Sequence, residues 1–193
     1  NLNGSNPFTG SITINAGTLY TNPGNAATNR ACSFVSGITV NSGATLKSGP
    51  NGLFGWDGTQ TRPVTVNTGG TMTTDAANTD VNVGTLTLNG GTLAGFSSPA
   101  WGSWNLKRVS GAKLLVTENS TVSSPNVGLG TSNSIDVSSG KTLTFSGAIT
   151  DLTNEGVCAL VKSNGTGTLD LTGANAYTGA TTLNTGTTLV NGS

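Results

Sequence analysis

The stretch VTVNTGGTM, residues 64–72, decides the fold because its pattern returns along the whole chain. It reads as a hydrophobic residue, any residue, a hydrophobic residue, Asn, any residue and Gly, then Thr followed by a hydrophobic residue. Four close copies are ITINAGTL from Ile12, ITVNSGATL from Ile38, LTLNGGTL from Leu86 and TTLNTGTTL from Thr181. Two weaker copies are LLVTENSTV from Leu114 and IDVSSGKTL from Ile135. Regular self-similarity of this kind indicates a repeat architecture.

The spacing of the copies gives the length of one repeat. Asn15, Asn41, Asn67 and Asn89 are 26, 26 and 22 residues apart. The equivalent positions Thr117, Ser138 and Asn184 follow at 28, 21 and 46 residues, the last being two repeats of 23. About eight repeats of 21–28 residues therefore cover residues 1–193 as a single segment.

Each copy has the pattern of two short strands joined by a corner. Val64 and Val66 alternate with Thr65, which is typical of a strand with one buried face. The Asn-x-Gly corner redirects the backbone, and Thr71 begins a second strand. One such turn buries too little surface to offset its ordering entropy, so it must stack on its neighbours. An antiparallel sandwich is the weaker alternative, because sandwich strands need not repeat one sequence at one period.

The sequence thus predicts an all-β fold, a right-handed parallel β-helix (β-solenoid) of about eight rungs. Equivalent residues of successive turns should lie above one another. The predicted interior column contains Leu19, Leu46, Met72, Leu93, Val122, Leu143 and Leu189. The predicted corner ladder, in which side-chain amides hydrogen-bond along the stack, contains Asn15, Asn41, Asn67, Asn89 and Asn184.

Composition excludes several classes of function. Lys+Arg and Asp+Glu balance at 8 each, so we expect no nucleic-acid partner, and no apolar run reaches the ~20 residues of a membrane span. Cys32 and Cys158 lack metal-ligand spacing and there is no His, so no metal or cofactor is expected. At ~4.8 Å per rung they lie too far apart for an intrachain disulfide. An intermolecular disulfide and two free thiols remain alternatives.

Catalysis is not expected either. A glycosidase of the β-helix type needs two carboxylates about 5–9.5 Å apart. The closest candidates in sequence, Asp75 and Asp80, are interpreted as solvated turn residues, and no other catalytic constellation is present. The sequence therefore predicts a protein that is not an enzyme, with no catalytic residue.

Two insertions, residues 21–34 and 96–109, interrupt the regular turns. The second contains Trp101, Trp104 and Arg108, and Trp56 is the third Trp of the chain. An exposed Trp beside Arg can stack on a sugar ring or anchor a partner. We take Trp101, Trp104 and Arg108 as candidate partner-binding residues. The alternative is that these rings cover the side of the solenoid.

The C-terminal segment ALVKSNGTGTLDLTGANAYTGATTLNTGTTLVNG, from Ala159, resembles the autotransporter-associated β-strand repeat. Residues at the characteristic positions include Leu160, Lys162, Gly165, Gly167, Leu169, Asn175, Tyr177, Thr178 and Gly179. The N-terminal segment LNGSNPFTGSITINAGTL, from Leu2, carries the second half of the same motif. Its residues, Gly4 among them, align with the C-terminal copy at a constant offset of 169.

The resemblance implies a passenger region of an exported bacterial surface protein with a β-helical stalk, and it supplies no catalytic residues. Because both ends hold one motif, the chain is interpreted as one period, of 169 residues, of a longer array or fibre. The expected partners are further copies stacked head-to-tail. An adhesin that binds glycans or cell surfaces is the alternative function.

Overall fold

The computed structural model describes residues 1–3, 6–22, 31–32, 34–49, 53–54, 61–77 and 80–192. Gly4, residues 23–30 and 33 of the first insertion, Trp56 and Asp57 lie outside this part of the chain. The described residues form strands and turns and contain no helix.

The strands form two parallel sheets, and successive strands of the chain alternate between them. Within the described residues each sheet has eight strands. The first sheet contains β1 (Ile12–Ile14), β3 (Ile38–Val40), β5 (Val64–Asn67), β7 (Thr85–Asn89), β9 (Lys113–Glu118), β11 (Ser134–Val137), β13 (Leu160–Lys162) and β15 (Thr181–Leu183). The second contains β2 (Gly17–Thr21), β4 (Ala44–Ser48), β6 (Thr71–Thr74), β8 (Thr92–Leu93), β10 (Ser120–Val122), β12 (Thr142–Phe145), β14 (Thr168–Leu171) and β16 (Thr187–Val190).

Equivalent residues of the repeat stack directly on one another. Ile12 pairs with Ile38, Ile38 with Val64, and Val64 with Leu86. The intervening threonines pair in the same way on the outer face, from Thr13 to Thr87. The predicted all-β parallel solenoid is therefore confirmed. Its handedness and its number of complete turns stay predictions.

The interior column of the second sheet differs from the prediction at its C-terminal end. Val122 pairs with Phe145, whereas Leu143 pairs with Ser120. This shift of two residues leaves Leu143 buried, because side chains in a strand alternate with period two. Leu189 pairs with the outward-facing Asp170 and is exposed, so its place in the interior column was predicted wrongly.

A bulge interrupts the register between two neighbouring strands of the first sheet. Leu88 pairs with Val116 and Asn89 pairs with Glu118, so Thr117 is an extra residue between β7 and β9. A bulge of this kind accommodates one additional residue without changing which face of the strand is buried beyond it. The flank of the solenoid outside the two sheets is formed by loops, in which Asn105 makes isolated parallel bridges to Asn82 and Gly128.

Candidate interaction surfaces

A ladder of side-chain amides runs along the corner that follows the first sheet. Asn41 Nδ2 donates to Asn15 Oδ1 at 2.8 Å, and Asn67 Nδ2 donates to Asn41 Oδ1 at 2.7 Å. Asn89 Nδ2 donates to Asn67 Oδ1 at 3.0 Å, and the Thr117 hydroxyl donates to Asn89 Oδ1 at 2.9 Å. Every bond has the same direction, because each residue donates to the turn before it. The ladder is therefore polar along the stack.

Asn184 stands outside this ladder. It follows β15 at the equivalent corner, but three turns without asparagine at this position lie between it and Asn89. Thr117 lies near the end of β9, Ser138 follows β11 and Ser163 follows β13. Within the described residues its backbone N–H donates to Lys162 O at 2.9 Å, and its side-chain amide makes no hydrogen bond. The structure thus joins four of the five predicted asparagines.

Both ends of the solenoid present apolar surface and a sheet edge. At the N-terminal end, residues 12–16, 18 and 19 line a shallow concavity of about 320 Å³. At the C-terminal end, Leu183, Leu189 and Val190 are 53%, 44% and 69% exposed. Strands β1, β2, β15 and β16 are the outermost strands of the two sheets. Edge strands with exposed apolar side chains favour pairing with a further layer.

Lys162 is buried inside the solenoid near its C-terminal end. It takes an inward position of β13, pairs with Ile135 and Leu183, and is 0% exposed. Its Nζ donates to Gly165 O at 2.9 Å in its own turn and to Thr185 O at 2.8 Å in the next turn. Burial lowers the pKa of this ammonium group. The side chain therefore joins two successive layers through their backbone carbonyls.

The candidate flank residue Trp101 lies beside a group of charged side chains. Trp101 is 38% exposed, and the Arg108 guanidinium carbon lies 5.3 Å from the centroid of its ring. Arg108 also pairs with Asp80, at 2.7 Å, and with Glu155. Burial raises the pKa of Asp80 to about 6, partly offset by Arg108. Trp101 is thus held by one face against a fixed cation, within reach of solvent.

Trp104, the second aromatic candidate for partner binding, is not exposed. It is completely buried, and its Nε1 donates to Ala94 O at 2.6 Å. Its large apolar ring fills the space between the second insertion and the sheets, and its only polar group is already satisfied. A partner could reach it only if this part of the fold opened.

The two cysteines are free and fully buried. Burial raises the pKa of Cys32 to about 12 and also raises that of Cys158. A buried, protonated thiol is a poor nucleophile in disulfide exchange. The intermolecular disulfide considered from the sequence therefore does not fit this fold, and both residues pack as small apolar side chains.

The described carboxylates are engaged in structural contacts with other side chains or the backbone. Asp75 accepts from the Tyr20 hydroxyl, and Glu118 pairs with Lys141 at 2.6 Å. Asp151 accepts from the Thr178 hydroxyl at 2.6 Å and from Cys158 N at 2.8 Å, and these bonds lower its pKa. Within the described ranges no three potential metal ligands are grouped, and no helix could cross a membrane.

Comparison with known families gives one match. The family model described as the passenger-associated-transport-repeat matches residues 1–20 and 163–190. Both ends of the chain carry this repeat. The match confirms the resemblance predicted from the sequence, and the repeat and the solenoid together fit a passenger-type structural domain of an autotransporter. Comparisons with curated proteins and with solved structures give no match.

The passenger-associated-transport-repeat includes the residues that fix the last layers of the solenoid. Asn175 Oδ1 accepts from Ile149 N at 2.9 Å, and its Nδ2 donates to Gly173 O at 2.8 Å. Thr178 is held by Asp151. No role for Lys162 was predicted from the sequence, although its alternation with Leu160 on one strand is a signal for an inward side chain. Motif residues thus act here as contacts between layers.

Proposed function

We propose that this chain is a structural segment of an exported bacterial surface protein, in which further β-solenoid layers continue from its ends. Copies then follow one another head-to-tail in a stalk or fibre that coils right-handedly through about eight turns per chain. The proposal rests on one observation above all. The two ends carry the same repeat, and at both ends the outermost strands of the two sheets carry apolar residues, so each end can receive another layer of the same kind.

A structural role accounts for the side chains better than catalysis does. The carboxylates that the structure describes bind neighbouring hydroxyl, amide, guanidinium or ammonium groups, and Asp80 and Glu155 both bind Arg108. Their hydrogen bonds span 21 to 55 residues of sequence in cases such as Asp170 with Asn191 and Asp75 with Tyr20, so they join separate turns. We propose that the chain is not an enzyme.

A tandem protein tests the proposal. Residues 1–169 are fused directly to the N-terminus of the complete chain, which keeps the offset of 169 between the two copies. We expect small-angle scattering and negative-stain images to show one straight rod about twice as long as the single chain, since each added layer extends the stack by about 4.8 Å.

The matched control joins two complete chains through a flexible Gly-Ser linker, which breaks the offset. This control should give two bodies at variable angles. If the direct fusion also gives two independently oriented bodies, head-to-tail stacking is wrong.

Adhesion is the second candidate function, supported by the half-exposed Trp101 ring stacked on Arg108. A ring fixed in this way offers contact area to a sugar at low entropic cost. We expect Trp101→Ala to abolish any binding of the chain on a glycan array. Phe34→Ala, which removes another exposed aromatic ring, is the matched control and should bind as the original does. Equal binding by both variants would contradict this role.

A further inference from the structure

One turn of the solenoid contains β13 and β14, and the next contains β15 and β16; we call them the β13–β14 turn and the β15–β16 turn. The contact between these two turns is repeated, in part, at the N-terminal end. Leu171 pairs with Val190 in parallel register, and Asn191 N donates to Leu171 O at 2.9 Å. At an offset of 169, Leu2 pairs with Thr21, and Asn22 N donates to Leu2 O at 3.0 Å. Leu2 therefore pairs with Thr21, the last residue of β2, in the same way that Leu171, the last residue of β14, pairs with Val190, the last residue of β16.

The corner that receives Lys162 also has an equivalent at the N-terminal end. Thr185, whose carbonyl accepts from Lys162 Nζ, corresponds to Ala16, and Gly186 corresponds to Gly17. The two glycines share the left-handed conformation, with φ of 76° and 72°. A Cβ at Gly186 would lie 2.5 Å from Lys162 Nζ, whereas a Cβ at Gly17 would meet nothing within 4 Å. In the described part of the chain no donor is hydrogen-bonded to Ala16 O.

From these two equivalences we infer that the N-terminal end binds a solenoid turn that carries a lysine. We call the binding position, at Ala16 and Gly17, the lysine seat. Its occupant is the β13–β14 turn of a preceding copy, joined covalently with a period of 169 residues. The ammonium of that copy's Lys162 is buried at the junction and donates to Ala16 O, as it does to Thr185 O within the chain. The inference rests on the proposed head-to-tail function and specifies how copies join.

The position of Leu2 distinguishes this arrangement from stacking of separate subunits. In a separate subunit the β15–β16 turn would have to pair with β2, where Leu2 already hydrogen-bonds to Tyr20 O and Asn22 N. That turn also has Leu183 at the position that Lys162 occupies in the β13–β14 turn, so it has no ammonium group to donate to Ala16 O. The covalent period instead makes residue 2 the continuation of the preceding β14 strand, so both contacts are kept.

Amine labelling of the direct tandem fusion tests the seat. The tandem has one Lys162 at the junction and one near its C-terminus, and an acylating reagent followed by mass spectrometry measures the fraction that reacts. We expect neither lysine 162 to react in the folded protein, while the exposed Lys113 reacts in both copies. In unfolded protein all of them should react. If one of the two copies of Lys162 in each tandem is labelled in the folded protein, the ammonium at the junction is exposed, and the inference is overturned.

A pair of variants separates the seat from stacking in general. Gly17→Ala in the single chain carries only the strain of the left-handed conformation, whereas in the second copy of the tandem the methyl group must also displace an ammonium. We therefore expect a larger fall in melting temperature in the tandem. An equal fall in a tandem that still forms one straight rod would refute the lysine seat and leave the stacking proposal intact. A tandem of two jointed bodies would refute both.

Discussion

The amide ladder provides the sharpest test of stacking within the chain, through the substitution Asn67→Ala. Asn67 occupies the middle of the ladder, where it donates to Asn41 at 2.7 Å and accepts from Asn89 at 3.0 Å. A net contribution of about 1 kcal/mol per hydrogen bond gives a loss of about 2 kcal/mol in the free energy of unfolding. For a domain of this size the melting temperature should fall by about 4–8 °C.

Two further asparagines make the prediction quantitative. Asn15 ends the ladder and makes a single side-chain bond, so Asn15→Ala should cost about 1 kcal/mol or less at this exposed position. Asn184→Ala is the matched control, because its amide has the same corner location and makes no ladder bond in the described chain. Urea unfolding followed by far-UV circular dichroism gives all three values. The expected order of destabilisation is Asn67, Asn15, Asn184.

The charged variant Asn67→Asp tests the direction of the bonds. At pH 7 a carboxylate cannot donate to Asn41 Oδ1, so two acceptors face each other and the loss should equal or exceed that of Asn67→Ala. Protonation restores a donor, so part of the loss should be recovered at acidic pH. If Asn67→Ala is no more destabilising than Asn184→Ala, the ladder contributes nothing and the reasoning is wrong.

Three other properties follow from groups on the flank and in the core. Asp80 has a folded pKa of about 6, above its ordinary value, so its contribution stabilises the fold below about pH 4 and is lost as the pH rises through 6. Between pH 4 and pH 7 the free energy of unfolding of the wild type should therefore fall by about 2–3 kcal/mol relative to that of Asp80→Asn, measured by urea unfolding. Asp151 has a lowered pKa, so its stabilising contribution is present above about pH 4 and is lost at lower pH. As the pH is lowered from 6 to 2, the melting temperature of Thr178→Val should fall by less than that of the wild type. An equal fall in both would contradict a role for the hydrogen bond. Neither buried cysteine should react with a thiol reagent in the native protein, while both should react in urea.

The outcome for the flank shows why side chains in an insertion are hard to place from sequence. Trp101 and Trp104 are three residues apart in one polar, glycine-containing segment, yet one ring is half exposed and the other fills the core. No local pattern separates them, because the segment lacks the alternation that marks a buried face. The partners of Arg108 are 28 and 47 residues away and come together only when the turns stack.

The repeating pattern by itself determined the parallel solenoid, the outward threonines and the stacking of Ile12, Ile38 and Val64. These follow from local alternation, and identical turns have their lowest free energy when equivalent residues coincide. Tertiary structure alone decided the register at Val122 and the two backbone carbonyls that Lys162 binds. These depend on backbone groups from different turns, whose positions are fixed only after the layers have packed. Every residue has a backbone carbonyl, so the sequence does not show which carbonyl a side chain from another turn will contact.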